Sequence, residues 1–416
     1  MKALVLAGGF PQIALIEELK SRGIQVLLAD YYPNPIAKPY ADQFFQISTL
    51  DVPGITELAS REKVDFLITA CTDQALLTVA QVSQTLNLPC YLDHQTALNV
   101  TNKSYMKQVF LDHGISTAKY AVMARLEEEK IASMCYPVIV KPVDCNSSKG
   151  VRKAYSLEEL RPLFAEAVEL SRTKTAIVEE FIQGSEITVD VQIENGRAQV
   201  LSCAYSDKIR DDDKFVIFRT RYPIMESESI HRQIAQTAQQ IADAFGLKNA
   251  PMLIQMICDG HRIYVLEFSA RTGGGVKYKL IEWVSGFDVI SGVVDLTLGK
   301  VPPLEVKAPK AAFISNVFLY CIPGEYHHLE GFQELKEANV IEDYYLFKWQ
   351  GAHMSGAANS GDRIAGFTIM ADSLEALQKK YERACSGVKV LDPAGRDILR
   401  RDLLTPLRYE TETECR

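Results

Sequence analysis

The chain lacks long apolar runs, contains two tryptophans and has no cysteine pair with metal-ligand spacing. Its nine cysteines include no C-x-x-C motif, and its seven histidines show no zinc-ligand pattern. No stretch approaches the roughly 18 to 20 apolar residues that span a bilayer, and MKALVLAGGF becomes turn-like too soon for a secretory signal. These absences exclude a disulfide scaffold, a zinc module and a membrane protein, and they predict a soluble, cytoplasmic chain.

Positive charge is also scarce. The 416 residues contain 45 Lys plus Arg against 53 Asp plus Glu, which gives a formal net charge of −8. A protein that binds polyanions over a broad surface needs an excess of cations, so nucleic acid is not expected as a partner. The composition is 47% hydrophobic, which is enough to bury a sizeable core, and the length predicts roughly two to four domains.

Two familiar phosphate-binding motifs are missing as well. The chain has no G-x-x-x-x-G-K-[ST] loop, and Gly8-Gly9 lacks the third glycine of G-x-G-x-x-G, although Asp30 stands where a ribose-binding acid would. Nicotinamide or flavin binding is therefore disfavoured, and the turn is expected to pack the fold or face a substrate. Cys145 lies in a loop of small residues, but the sequence offers no evident base to activate it.

Apolar strands and helical spacing alternate along the first hundred residues. This alternation predicts a doubly wound parallel domain over residues 1–100. The predicted elements are strands at 2–7, 24–29, 64–70 and 88–92, and helices at 12–22 and 73–86.

The pattern changes after residue 100 and predicts mixed α+β structure. A helix capped by Thr101 or Asn102 ends at Gly114. Together with the first region, the chain is predicted to be an α/β and α+β multidomain protein. Further predicted strands lie at 138–141, 175–180, 186–193, 197–205, 252–258, 262–268, 363–370 and 387–391, and helices at 228–245, 277–284 and 373–385.

A lysine closes the apolar strand VIVKP. Lys141 could hold phosphate oxygens there, and the following loop 143–151 is rich in small residues whose N–H groups and hydroxyls could close over them. By itself the pattern fits a solvent-facing lysine before a flexible loop equally well.

A second polar group follows the turn Asp259-Gly260. In an antiparallel hairpin, Gln255 and Glu267 can lie opposite one another, and Ser269 shares the face of Glu267. Such oxygens suit a hard cation, because Mg²⁺ needs few protein ligands when phosphates supply the others. Arg271 continues this face toward three glycines. Alone, the pattern is more typical of a solvated sheet edge.

Between these groups stands EEFIQGSE, residues 179–186. Where a strand ends in a short connector, its exposed backbone N–H and C=O groups can form hydrogen bonds with the edge of an adenine. A carboxylate beyond the turn can accept hydrogen bonds from ribose hydroxyls. A plain hairpin with surface acids is the simpler interpretation of this segment alone.

Taken in order, VIVKP, EEFIQGSE and Gln255 with EFSAR (residues 267–271) resemble the ATP-grasp superfamily, specifically carboxylate–amine ligases related to D-alanine ligase, carbamoyl phosphate synthetase and biotin carboxylase. The resemblance covers nearly the whole chain and implies an ATP-grasp fold. It implies a pre-domain at 1–100, a small lobe at 101–185, a large lobe at 186–305, a closing domain at 306–405 and a disordered tail at 406–416.

The resemblance also implies roles for individual residues. Lys103 and Lys141 would contact ATP phosphates, and Arg271, with Lys141, would act in catalysis. The cofactors would be ATP and Mg²⁺, or Mn²⁺. The loop 146–150, with Ser147 and Ser148, would cover the phosphates; Glu179, Glu180, Phe181 and Ile182 would form the adenine hinge; Glu186 would bind ribose; and Gln255, Glu267 and Ser269 would hold the metal.

Two positions depart from the family pattern. Gln255 replaces a usual Asp or Glu, although carbamoyl phosphate synthetase-like members also use Gln, and Ser269 replaces a usual Asn. Both changes lower charge or ligand reach, which predicts weak binding of one metal. Because Glu267 and Arg271 remain, activity is still expected.

The implied reaction activates a small carboxylate or amino acid as an acyl phosphate and joins it to an amine, giving an amide or dipeptide. Its partners would be small molecules, and a homodimer is compatible with the family. Lys208, Arg219 or Arg221 could grip a second carboxylate, and so could the helix start after Gly273 to Gly275. The alternatives are a carboxyphosphate-forming carboxylase or carbamoyl phosphate synthetase-like enzyme, an enzyme of purine metabolism, and a non-catalytic ATP-binding regulator. The loop 353–361 has no assigned role.

Overall fold

The computed structural model describes residues 1–145, 149–209 and 215–409. The predicted phosphate-loop residues Ser147 and Ser148 lie outside the described part, as does most of the predicted tail. Within those ranges, no helix combines the length and the apolar character that crossing a membrane requires.

The first unit is a parallel sheet flanked by helices, as the alternating pattern predicts. Its strands run in the order β3-β2-β1-β4, and every pairing between them is parallel. The sheet buries apolar side chains on both faces, which explains why its strands are almost continuously apolar. The elements are β1 (Lys2–Leu6), α1 (Phe10–Ser21), β2 (Gln25–Asp30), β3 (Gln43–Gln46), α2 (Val52–Glu62), β4 (Phe66–Ile68), α3 (Asp73–Leu86) and α4 (His94–Thr101).

The predicted strand at 88–92 is wrong. The chain leaves α3 through Asn87 in the left-handed conformation, with φ of 54°, and Pro89 has no N–H to donate to a neighbouring strand. The segment packs instead against a later part of the chain, where the Tyr91 hydroxyl donates to the carbonyl of Ala270 at 3.1 Å.

The glycine turn after β1 is satisfied from within the protein. The carboxylate of Asp30 accepts the N–H of Gly8 at 2.6 Å and that of Tyr32 at 2.7 Å. A Cβ at Gly8 would lie 2.5 Å from the Cβ of Pro35, so close packing requires glycine there. Asp30 therefore stabilises the turn through its two backbone hydrogen bonds.

The second unit is a small four-stranded antiparallel sheet in the order β5-β8-β6-β7. The helix that precedes it is capped as predicted, because the Asn102 side chain accepts the N–H of Tyr105 at 3.1 Å. Its elements are α5 (Lys103–Asp112), β5 (Tyr120–Met123), α6 (Glu128–Ile131), β6 (Val138–Pro142), β7 (Arg152–Ala154), α7 (Leu157–Leu170) and β8 (Ala176–Glu180).

The third unit is an eight-stranded sheet that runs through the rest of the chain. Its order is β13-β12-β9-β10-β11-β14-β19-β17, so strands from both sides of residue 305 share one sheet. The sheet continues across residue 305, so the domain boundary predicted there stays a prediction. The elements are β9 (Ser185–Glu194), β10 (Arg197–Lys208), β11 (Ile217–Tyr222), α8 (Glu228–Ala244), β12 (Ala250–Cys258), β13 (Ile263–Ser269), α9 (Lys277–Ser285), α10 (Val289–Thr297), β14 (Phe313–Leu319), β15 (Gly324–Glu325), β16 (His328–Glu330), α11 (Phe332–Glu337), β17 (Asp343–Leu346), β18 (His353–Met354), β19 (Ala365–Ala371), α12 (Leu374–Gly387) and β20 (Lys389–Leu391).

Two arginines on β11 bind the C-terminal segment of the chain. Arg219 and Arg221 both pair with Asp207, at 2.6 and 2.8 Å. Each arginine also donates to a backbone carbonyl of the C-terminal segment. Arg219 donates to the carbonyl of Thr405 at 2.8 Å, and Arg221 donates to that of Arg408. Among the described residues, both arginines thus bind groups of the protein itself, and a role for either in gripping a substrate carboxylate stays a prediction. Arg408, within the predicted tail, is bonded to the sheet.

Candidate active site

The hairpin β12–β13 places Gln255 directly opposite Glu267, as the spacing about Asp259-Gly260 predicts. The carboxylate of Glu267 lies 3.3 Å from the Nζ of Lys103, which begins α5 in another unit. Burial raises the pKa of Glu267, but the charges of Lys103 and Lys141 outweigh it and the pKa is lowered. Glu267 is therefore ionised at neutral pH and lies where α5, β6 and β13 meet.

Lys141 projects from β6 onto a buried carboxylate. Its Nζ lies 2.6 Å from Oε2 of Glu179, and Lys107 on α5 lies 2.7 Å from Oε1. Burial alone would raise the pKa of Glu179, but the two ammonium groups hold it at about 2. Lys107, which is only 2% exposed, is a site residue that the sequence motifs do not predict. The signal for it was its position one helical turn after Lys103, on the same face of α5.

Glu186 contacts two polar side chains beside this group. It accepts a hydrogen bond from the amide nitrogen of Gln255 at 3.2 Å and forms an ion pair with Lys208. The sequence suggests that Lys208 could grip a substrate carboxylate, whereas the structure pairs it with Glu186, the predicted ribose-binding acid. The predicted metal and ribose residues thus form one connected cluster.

The predicted adenine hinge follows β8. The N–H of Glu180 donates to the carbonyl of Lys119 at 2.9 Å, and that of Phe181 donates to Pro137 at 3.1 Å. Both N–H groups are therefore already hydrogen-bonded within the small sheet. Among the described residues, the N–H of Ile182 donates to no other group, so within this set it is the donor left for a ligand.

Arg271 is held by an acid from the N-terminal sheet. Its Nε donates to Oδ1 of Asp73 at 2.8 Å and its Nη2 donates to Oδ2, while the Ser269 hydroxyl donates to the same carboxylate. Burial raises the pKa of Asp73, but the charge of Arg271 outweighs it and the net shift is downward. The sequence motifs do not predict Asp73. Its position at the start of α3, after a parallel strand, is the one feature of the sequence that indicates a functional role.

The loop after β6 is anchored at its base. The Asp144 carboxylate accepts the N–H groups of Arg172 and Thr173 at 3.0 and 3.1 Å, and the carbonyl of Cys145 accepts from Lys103 at 3.0 Å. Burial raises the pKa of the Cys145 thiol, which disfavours a thiolate nucleophile. Ser147 and Ser148 follow this anchor but lie outside the described residues.

The donor set fits a hard divalent cation bound partly by a ligand's phosphates. Glu267 is ionised, and the amide of Gln255 uses its nitrogen on Glu186, which leaves its oxygen as a potential ligand. Ser269 is directed to Asp73, so its predicted role as a metal ligand stays a prediction. No group of three His, Cys, Asp or Glu in the described ranges has the arrangement of a complete metal site.

The sequence resembles known proteins over part of its length. Residues 108–265 match the family model described as D-ala D-ala ligase C-terminus. The carbamoyl-phosphate synthase of Methanobrevibacter smithii is 23% identical over 291 residues, which cover 68% of this chain and 77% of that protein.

Solved structures show the same architecture over almost the full length. The L-amino acid ligase of Bacillus licheniformis has a TM-score of 0.76 at 18% identity and covers 94% of this chain and 98% of its own. The biotin carboxylase domain dimer of the Hydrogenobacter thermophilus 2-oxoglutarate carboxylase, in complex with MgADP and bicarbonate, has a TM-score of 0.78 at 15% identity and covers 97% and 92%.

The fold is therefore the ATP-grasp fold, and the proteins that this chain resembles are ATP-dependent ligases that form C–N bonds. Residues 108–265 resemble the D-ala D-ala ligase C-terminus family, in agreement with the resemblance that the ordered motifs carry. Enzymes of this family use ATP and Mg²⁺.

Proposed function

We propose that this chain activates a small carboxylate or amino acid as an acyl phosphate and couples it to an amine, giving an amide or dipeptide. One observation carries the proposal. Four charged residues from separate segments of the sequence lie together: Lys103, Lys141, Glu267 and Arg271. Lys103 contacts Glu267 at 3.3 Å, and the charges of Lys141 and Arg271 also act on that carboxylate. Cations and an ionised acid gathered in this way suit the transfer of a phosphoryl group between two anions.

The reaction would proceed in two balanced steps. A substrate carboxylate oxygen attacks the γ-phosphorus of ATP, the bond to the β-phosphate oxygen breaks, and ADP leaves an acyl phosphate. The amine nitrogen then attacks the acyl carbon, the bond to phosphate breaks, and amide, inorganic phosphate and a proton are released. Catalysis consists mainly of positioning and charge neutralisation, since the protein need supply no covalent chemistry.

The described residues suggest how ATP is oriented. The N–H of Ile182, which donates to no group among the described residues, would meet the adenine edge. Glu186, held by Gln255 and Lys208, would accept the ribose hydroxyls. Lys103 and Lys141 would bind phosphate oxygens. Because Lys107 already neutralises Glu179, Lys141 keeps part of its charge for the nucleotide. Glu267 and the oxygen of Gln255 would hold Mg²⁺, which neutralises phosphate charge when bound.

Arg271 would stabilise the acyl phosphate and the charge on the tetrahedral intermediate. Its contact with Asp73 fixes the plane of the guanidinium, because a bidentate pair allows one orientation. Asp73 is thus a positioning residue.

Asp73→Asn is expected to lower kcat by up to about a hundredfold while the KM for ATP changes little, because a misplaced Arg271 weakens the transition state more than nucleotide binding. Steady-state ADP release measures both constants. Asp73→Glu should recover part of the loss, and Asp51→Asn, at the start of another helix, is the matched control. An unchanged kcat in Asp73→Asn would refute the positioning role.

Bicarbonate is the second candidate acid. Gln255 stands where carbamoyl phosphate synthetase-like members of the family also use Gln, and a carbamoyl-phosphate synthase is among the relatives. In that case ADP release would depend on bicarbonate and would need no other carboxylate.

An ADP-release screen with Mg·ATP tests the proposal. We expect sustained ADP release, beyond a single turnover, only when a carboxylate and an amine are both present, with the mass of the product equal to that of the amide. Release with bicarbonate alone would favour the carboxyphosphate reaction, and release only with a phosphoribosyl amine would favour purine metabolism. Tight ATP binding without ADP release across amino acids, simple acids and amines would contradict a ligase and favour a regulatory ATP-binding protein.

A further inference from the structure

A buried group of polar side chains lies next to the candidate active site. Three residues form this group, here called the Asp190 cluster: Asp190 on β9, Thr272 after β13, and Lys277 at the start of α9. Asp190 is 1% exposed, Thr272 3% and Lys277 7%. No element of the proposed phosphoryl transfer uses these three side chains.

The cluster contains hydrogen-bonding atoms that its protein neighbours leave unused. Oδ2 of Asp190 accepts the hydroxyl of Ser202 at 2.6 Å. In the described part of the chain, Oδ1 of Asp190, the Thr272 hydroxyl and Nζ of Lys277 are buried and have no hydrogen-bond partner. Lys277 contacts Oδ2 of Asp190 as an ion pair at 3.5 Å, without a hydrogen bond. Burying polar atoms without hydrogen bonds costs free energy, so a ligand that bonds to them would be favoured.

The cluster adjoins the reaction centre directly. Thr272 follows Arg271, whose Nη1 donates to the Thr272 carbonyl at 2.8 Å. A Cβ at Gly273 would lie 2.9 Å from Cγ of Lys277 and 3.5 Å from Oδ1 of Asp190. The glycine backbone therefore passes immediately over the cluster, and a side chain at Gly273 would clash with it. A substrate held against Arg271 would have its remaining groups within reach of this cluster.

The charges of the cluster form a side-by-side pair. Nζ of Lys277 lies 3.5 Å from Oδ2 of Asp190, and the free Oδ1 lies on the other side of that carboxylate. An α-amino acid carries an ammonium and a carboxylate on neighbouring atoms of one carbon. Its two charges therefore match a carboxylate and an ammonium held side by side.

We propose that the Asp190 cluster is the subsite for the amine substrate and that this substrate is an α-amino acid. Its carboxylate binds Lys277, and its amino group binds Oδ1 of Asp190 and the hydroxyl of Thr272. This inference rests on the proposed function and narrows it, since the product becomes a peptide or an acylated amino acid. Binding requires the backbone at Gly273 to Gly275 to move aside, which three residues without side chains allow.

The test compares free amino acids with their carboxamides, which lack the negative charge that Lys277 would bind. Binding is measured by calorimetry in the presence of a non-hydrolysable ATP analogue. The wild-type chain should bind at least one free amino acid about tenfold or more tightly than its amide. Lys277→Met should reduce this ratio to about one. Lys279→Met, which removes a lysine paired with Asp343 on the same helix, should preserve it.

A purely structural ion pair would behave differently. Lys277→Met leaves Asp190 as a buried charge without its partner, so this single variant could unfold. The double variant Asp190→Asn with Lys277→Met removes both charges and allows the same binding comparison. We expect the double variant to fold and to lose the preference for free amino acids. If it folds and retains the wild-type preference, the cluster is structural and the subsite is wrong.

The proposed subsite and the proposed reaction can be contradicted independently of each other. A wild-type chain that binds no amino acid more tightly than its amide contradicts the subsite, whether or not the ADP-release screen succeeds. A chain that shows the preference but releases no ADP with any acid contradicts the proposed reaction and leaves the subsite standing.

Discussion

Glu267→Gln should lower ADP release by about two to three orders of magnitude, since losing one preorganised charge contact costs roughly 2.7 to 4 kcal/mol of barrier. Glu267 is the ionised acid opposite Gln255 and within 3.3 Å of Lys103. Glutamine keeps the size of the side chain but removes the charge that would hold a divalent cation and balance the lysine. The loss should appear in kcat, because the nucleotide keeps its contacts with the hinge and Lys141.

Glu330→Gln is the matched control for this variant. Glu330 also pairs with a lysine, Lys389, at 3.3 Å, but on a two-stranded sheet of β16 and β20. Its substitution should leave turnover unchanged. Wild-type turnover in Glu267→Gln, measured as ADP formation at saturating Mg·ATP, would remove Glu267 from the site.

Glu179→Gln is expected to lower the free energy of unfolding by about 3 to 5 kcal/mol. The carboxylate is buried between Lys107 and Lys141, and its loss leaves two buried ammonium groups facing a neutral amide. Urea unfolding followed by circular dichroism measures the change. Glu169→Gln is the control, because Glu169 pairs with Lys174 while its side chain is 84% exposed, and exposed pairs contribute little.

The same contact predicts a pH dependence. The pKa of Glu179 is lowered from 4.5 to about 2, so its stabilisation is fully present above its unfolded value and is lost as the pH falls from about 4.5 toward 2. The loss over that window amounts to about 3 kcal/mol. Wild type should therefore lose more stability in acid than Glu179→Gln does. Parallel acid profiles for the two chains would contradict the ion-pair assignment.

The local elements followed closely from the sequence. The Asn102 cap, the hairpin through Asp259-Gly260 and the breaks at glycine lie where short-range spacing predicted them. The register of Gln255 and Glu267 was predictable because a short turn fixes which residues face each other. The strand predicted at 88–92 failed because an apolar run bounded by turn residues does not reveal whether a neighbouring strand is available to pair with it.

The sequence by itself determined the class of the fold and the residues that carry charge at strand and helix ends, since these depend on period, turns and motif order. Only the tertiary structure decided which charges meet. Asp73 reaches Arg271, Lys107 reaches Glu179, and Lys277 reaches Asp190 across separations of many residues. The relative placement of the three sheets brings these pairs together, and no local pattern records it. The structure likewise showed that Arg219 and Arg221 bind the chain's own C-terminal segment.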